Sequence, residues 1–117
     1  MLMIIGHEND LSGVNLAGED LRNVSKKVLI SPEQGWNEHV MRLFELAEGG
    51  YTPRHKHAWP HINYVVRGKG LLFLDGREYE LKGGSYAYVP AGKEHQFLNR
   101  GNESFTLICI VPVEGEQ

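Results

Sequence analysis

Four histidines stand in stretches of the chain punctuated by glycine and proline: His55, His57 and His61 close together, and His95 beyond them. Imidazole is the commonest protein ligand for borderline transition metals, and four at this spacing can make one site. Residues i and i+2 of a strand project to the same side, so His55 and His57 can grip one ion together. His61 keeps that parity and can join them on the same strand or just after a bend. His7 and His39 stand apart and read as surface residues. No Ser-His-Asp set and no carboxylate pair competes for the chemistry.

The elements that must carry these residues read as short strands. β-rich runs cover 27–30, 40–47, 62–66, 71–74, 78–81, 86–89, 95–99 and 105–111. Glycine, 14 of 117 residues, falls between them and not in a low-complexity tract. Short strands with frequent turn signals predict an all-β sandwich or barrel. Asp75-Gly76 is a two-residue hairpin signal of the favoured kind. No helical period lasts beyond about two turns. Residues 7–24 are polar and read as an irregular or weakly helical arm.

The length suits one domain with one core. A formal charge of −3 and the lack of a basic stripe argue against nucleic acid. Lys26-Lys27 reads as a short solvated charge pair. Only five apolar residues open the chain, fewer than a secretory signal needs, and no run reaches the length of a membrane span. The single cysteine, Cys109, excludes an internal disulfide and fits a reducing compartment, so a cytoplasmic protein is expected.

Arg42 interrupts the apolar run Val40-Met41-Arg42-Leu43-Phe44. Either it points outward from a half-exposed strand, or it points inward and needs an anionic or polar partner. On the last run, Phe105, Leu107, Cys109 and Val111 share one face, while Thr106, Ile108 and Ile110 share the other.

Two spaced motifs carry a resemblance. Gly49, five residues, His55-x-His57, three residues, His61, six residues and Gly68 make the first; Gly84, five residues, Pro90-x-Gly92, two residues, His95, three residues and Asn99 make the second. Residues 69–83 separate them. Together they resemble the two motifs of the cupin superfamily, with His61 standing where a glutamate is usual. The chain is similar to small single-domain cupins with four histidines, of which some bind manganese. The resemblance implies a double-stranded β-helix of jelly-roll type with the metal in its mouth. It implies one domain over 1–117, with an arm of about 1–26 and a barrel core of about 40–112.

On that scaffold Gly68, Gly84 and Gly92 are expected at turns with positive φ, and Asn99 as a turn-forming side chain. The implied metal ligands are His55, His57, His61 and His95. The implied pocket residues are Arg42, Leu107, Cys109 and Val111. Arg42 would be the cation able to hold a substrate carboxylate, and Cys109 either a pocket residue or a small buried hydrophobe. Trp59 is either a lid or part of a dimer contact.

Four neutral imidazoles leave a divalent ion its full +2 charge, which favours an anionic further ligand and disfavours the trivalent state. Raw affinity favours copper, nickel, zinc or iron. With the resemblance, manganese or iron stand first, and copper, nickel and zinc are compatible. The expected function is a metal-dependent, dioxygenase-like oxidoreductase acting on a small organic substrate, an anionic one being compatible. The alternatives are a non-catalytic metabolite-binding cupin and a metal-dependent isomerase or decarboxylase. A homodimer is expected because exposed sheet edges and faces invite a second copy, with residues 1–5 as a pairing segment.

Overall fold

The structure, a computed structural model, describes residues 4–116. Nine strands follow one another: β1 (Val14–Asn15), β2 (Arg22–Ile30), β3 (His39–Tyr51), β4 (His61–Arg67), β5 (Lys69–Leu74), β6 (Arg77–Lys82), β7 (Tyr86–Val89), β8 (His95–Leu98) and β9 (Phe105–Pro112). Three single 3₁₀ turns, Glu8–Asp10, Pro32–Gln34 and Val113–Gly115, are the helical elements among the described residues. All pairings are antiparallel. The sheet runs β6-β5-β8-β3-β9-β4-β7, with β2 added beside β3 and β1 beside β2. It wraps into a nearly closed barrel, the expected all-β jelly-roll cupin architecture.

Each expected run lies within or overlaps a strand, because alternation puts one side of each run inside. In β4, His61, Asn63 and Val65 are buried while Ile62 and Tyr64 are about half exposed. In β9, Phe105, Leu107, Cys109 and Val111 are all within 3% of full burial. The deep core is built from Val24, Leu46, Val65, Leu72, Phe97, Phe105 and Leu107. A second cluster, Val40, Cys109 and Val111, packs with Phe44 and Trp59.

The segment expected as a polar arm departs from that reading. It holds the 3₁₀ turn at Glu8–Asp10, then β1, and β2 already begins at Arg22. This part of β2 is polar in sequence but pairs with β3 through Val24↔Leu46 and Lys26↔Phe44, so tertiary pairing overrides weak local propensity. Glu8 ties the earlier turn down through its ion pair with Arg67. Residues 1–3 of the expected pairing segment lie outside the described residues, while Ile4 and Ile5 are exposed.

Turn chemistry matches the sequence where it matters for the site. Asp75 and Gly76 both have positive φ, 50° and 88°, as a two-residue hairpin of the primed type requires. Gly68 turns β4 into β5 at φ 85°, and a β-carbon there would run into the Ser104 carbonyl. Asn99 is 1% exposed. Its Oδ1 accepts from Gly101 N at 2.9 Å, and its Nδ2 donates to the Glu103 carbonyl at 2.7 Å and the Leu46 carbonyl at 2.9 Å. It therefore forms its turn and also clamps that turn to β3.

Candidate metal centre

His55 and His57 do not sit on a strand, as their spacing had suggested. They lie in the extended connection from β3 to β4, and His55 is held by one isolated bridge to His95. His55 N donates to the His95 carbonyl at 3.1 Å and His95 N to the His55 carbonyl at 2.9 Å. The connection bends at Ala58-Trp59, and His61 opens β4. His95 opens β8. Three segments, the connection, β4 and β8, thus converge at the barrel mouth.

The ligand atoms of His55, His57 and His95 all lie within 4.8 Å of one another. His61 Nε2 lies 3.2 Å from His95 Nε2, with its ring centroid 5.4 Å from that of His57. The structure therefore brings all four histidines to one mouth, three as a tight group and the fourth against His95.

Hydrogen bonds choose the tautomers. A carbonyl oxygen only accepts, so His57 Nδ1–H donates to the Trp59 carbonyl at 2.8 Å and His95 Nδ1–H to the Lys93 carbonyl at 2.9 Å. His61 Nδ1 is 2.7 Å from Asn63 Oδ1, and Asn63 Nδ2 is turned to the Ile108 carbonyl at 3.4 Å, which leaves the amide oxygen to accept from His61. Three imidazoles thus keep their Nε2 lone pairs free, the pattern by which outer partners orient metal ligands. The two Nε2 atoms of His61 and His95 then face each other as acceptors with no proton between them. Their separation is close to the about 3 Å between two nitrogens each about 2.1 Å from a shared ion at a right angle. The residues present fit a divalent ion.

Burial favours the neutral form of His55, His61 and His95, as ligands require. It is the largest cause in each case: it pushes His61 down to about 3, and it lowers His55 and His95, with neighbouring histidines adding to the effect.

Behind the histidines lies a cavity of about 170 Å³. That is below the roughly 300–1,000 Å³ of drug-sized sites, so its occupant is compact. Arg42, Cys109 and Asn63 stand side by side on β3, β9 and β4 along its wall. Arg42 points inward: its side chain is 12% exposed. Its Nη2 donates to Cys109 Sγ at 2.9 Å and its Nη1 to Glu116 Oε1 at 3.2 Å, while its carbon-bearing end lies 4.9 Å from the Phe44 ring centre. Burial pushes the Cys109 thiol up, against the pull of Arg42, so it stays a neutral thiol. Leu107 and Cys109 line the cavity; Val111 belongs instead to the neighbouring apolar cluster. Trp59 lines the cavity as well, stacked on His57 at 4.8 Å and 10°.

Several residues of the site were not anticipated. Asn63 had a signal, since it stands two residues from His61 on one strand and so shares its face. Lys26 is not a solvated charge but donates to Glu116 Oε2 at 2.7 Å, and Lys27 donates to the Glu8 carbonyl at 2.7 Å. Glu116 lies 74 positions from Arg42 in sequence, and no local pattern announces that contact. His7 caps the first 3₁₀ turn and His39 stacks on Trp36, both away from the site.

Comparison with known proteins agrees with this architecture. The fold is shared with the polyketide cyclase RemF from Streptomyces resistomycificus, at a TM-score of 0.87 and 26% identity over 95% of this chain and 80% of that one. An oxalate-binding protein of Thermotoga maritima is 28% identical over 87 residues, 71% of this chain and 70% of the relative. An uncharacterized protein of Methanocaldococcus jannaschii is 36% identical over 62 residues, 52% of this chain and 50% of the relative. The chain spans about half the length of the curated relatives it matches first, 50% and 49%. The Cupin_2 family, described as a cupin domain, matches residues 42–111, more than half of the sequence, and the chain belongs to that family.

Proposed function

We infer that this protein is a metal-dependent enzyme in which His55, His57, His61 and His95 hold one divalent cation that activates a compact organic substrate. The single observation that carries the reading is the 3.2 Å approach of the Nε2 atoms of His61 and His95, whose outer nitrogens each face an oxygen. When bound, the ion supplies Lewis acidity, and its charge is not reduced by any carboxylate ligand in this set. The mostly apolar wall of Phe44, Phe97, Leu107 and Trp59 excludes water from the substrate. Asn63 keeps His61 in its ligating tautomer.

Two kinds of chemistry suit these residues. A Lewis-acid reaction on an oxygen-bearing substrate is favoured by the neutral, all-nitrogen ligand set, which disfavours oxidation of the ion; the similarity to a polyketide cyclase supports it. The dioxygenase-like oxidoreductase reading uses the same site with manganese or iron. Isomerisation or decarboxylation of an oxo acid would fall under the first kind.

Elemental analysis of protein purified without chelator is the first test, followed by reconstitution with zinc and separately with manganese or iron. Turnover of β-diketo compounds by the zinc form, followed as loss of enolate absorbance, supports the Lewis-acid reading. Oxygen uptake with redox metals alone would replace it with the oxidoreductase. A protein that binds metal and small ligands but turns over neither panel would be a binding module.

A homodimer is proposed alongside. The exposed Ile62, Tyr64, Tyr86 and Tyr88 share the outer face of β4 and β7, which supports a self-association surface. Size-exclusion with light scattering would show a monomer mass if this is wrong.

A further inference from the structure

The segment after β9 folds back over the cavity. Gly115, at the end of the Val113–Gly115 turn, is part of the cavity wall. It seats so closely on Val111 and the Trp59 indole that a β-carbon there would collide with both. The next residue, Glu116, places one carboxylate oxygen 3.2 Å from Arg42 Nη1 and the other 2.7 Å from Lys26 Nζ. The three side chains are 12–21% exposed. One short segment thus touches Arg42 of the cavity wall, Lys26 behind it and the indole that stacks on His57.

Glu116 does not use all that the two cations offer. One carboxylate against a guanidinium and an ammonium leaves the trio at +1. Arg42 Nη2 rests on a neutral thiol, a weak acceptor, and Arg42 Nε is buried with no partner among the described residues. A guanidinium is matched best by a carboxylate that takes two parallel bonds. Beyond it along the wall the paired Phe44 and Leu107 present an apolar face.

We propose that Arg42 and Lys26 form a carboxylate-binding subsite beside the histidine cluster, that Glu116 is its internal occupant, and that a substrate carboxylate binds by displacing Glu116 with the 113–116 segment. The exchange conserves charge and needs no proton: one carboxylate leaves as another arrives. The substrate class is a compact organic carboxylate with an apolar body, which gains burial against Phe44 and Leu107. This names the substrate of the site proposed above, and rests on that reading for the reaction but not for the binding.

Benzoate is a suitable probe, titrated by calorimetry into chelator-treated protein so that no metal can hold the carboxylate, with tryptophan emission recorded in parallel. A subsite free about a tenth of the time weakens apparent affinity about tenfold, so Glu116→Gln should bind benzoate about tenfold more tightly than the native protein. Gly115→Ala keeps the carboxylate but unseats the segment, and should move affinity in the same direction. Lys26→Gln should weaken binding, and benzoate should shift tryptophan emission as the segment leaves Trp59. Benzoate affinity unchanged in both Glu116→Gln and Gly115→Ala would overturn the proposal. Equal tightening for uncharged benzamide would also overturn it, because the segment would then be a steric cover and not a carboxylate's stand-in. Failure of the protein to bind any metal, with the benzoate series as expected, would sink the metal reading and leave this subsite standing.

Discussion

Replacing Asn63 with alanine tests the argument that hydrogen bonds select the ligating tautomers. In the native site Asn63 Oδ1 accepts from His61 Nδ1 at 2.7 Å, and both residues are buried. Without the amide, His61 can keep its Nδ1–H with no acceptor, at a cost of about 1–3 kcal/mol. It can instead move the proton to Nε2 and donate to His95 Nε2, only 3.2 Å away. The second course wins, because it makes a hydrogen bond where the native protein holds two facing lone pairs. It also occupies the lone pairs of two ligands at once. A metal must reverse that change before it binds, so affinity should fall about 10–100-fold, or about 1.4–2.8 kcal/mol. The assay is competition for zinc against a chromophoric chelator, with Asn63→Asp measured alongside. Aspartate restores an acceptor at the same place and should recover most of the loss. Zinc affinity of Asn63→Ala within about twofold of native would refute the reasoning, since an outer partner that matters costs at least about tenfold.

Three further outcomes can be checked with little more than a melting instrument. Metal at about 100 times its dissociation constant should stabilise the protein by about 2.7 kcal/mol, and chelator should reverse it; a melting temperature indifferent to metal would count against the site. Metal-free protein should lose stability as pH falls below 6.5, because His61 binds a proton in the unfolded chain near 6.5 but in the folded one only near about 3. The unfolded state then holds more protons throughout that window, and by pH 5 His61 alone should cost about 2 kcal/mol; an identical pH profile for metal-free His61→Gln would contradict this. Gly68→Ala should destabilise by more than about 1 kcal/mol, since its φ of 85° and the Ser104 carbonyl both reject a β-carbon; an unchanged denaturation midpoint would show that the turn relaxes.

How much of this was legible in the sequence depended on the range of the interaction involved. Alternation in runs such as 62–66 and 105–111 announced strands because each buries one face against its neighbours. The glycines of both motifs announced turns for the same local reason. β1 and the first half of β2 were not legible: Val14, Asn15, Ser25 and Lys26 have little apolar pattern and are ordered by strands distant in sequence. The histidines were found by spacing, yet the geometry that unites them is not a strand's. His55 and His57 sit in an extended connection fixed to β8 by one bridge. Arg42 was open between two faces until its register against Cys109 and Asn63 placed it inside. Its partner Glu116 was invisible, because ion pairs between remote segments leave no periodic trace.

The charge balance of the cavity links these observations. On the proposed reading four imidazoles give a bound divalent ion no negative ligand, and Arg42, whose charge opposes protonation of His61, adds a positive charge beside it. A buried cluster of one sign is unfavourable unless an anion enters. In this structure Glu116 partly meets that demand, from a segment held by one small turn, the Val113 N–H bond to the Glu38 carbonyl at 2.9 Å and the fit of Gly115 on Trp59. A carboxylate on a rigid strand would have neutralised the wall for good. A carboxylate on a short returning segment is open to exchange, and under the proposed displacement the apolar lining would select among carboxylates. On the two proposals taken together, the histidine at position 61 and the glutamate at position 116 are parts of one arrangement: the first would withhold negative charge from a bound ion, and the second would supply it to Arg42 in a form that a substrate can replace.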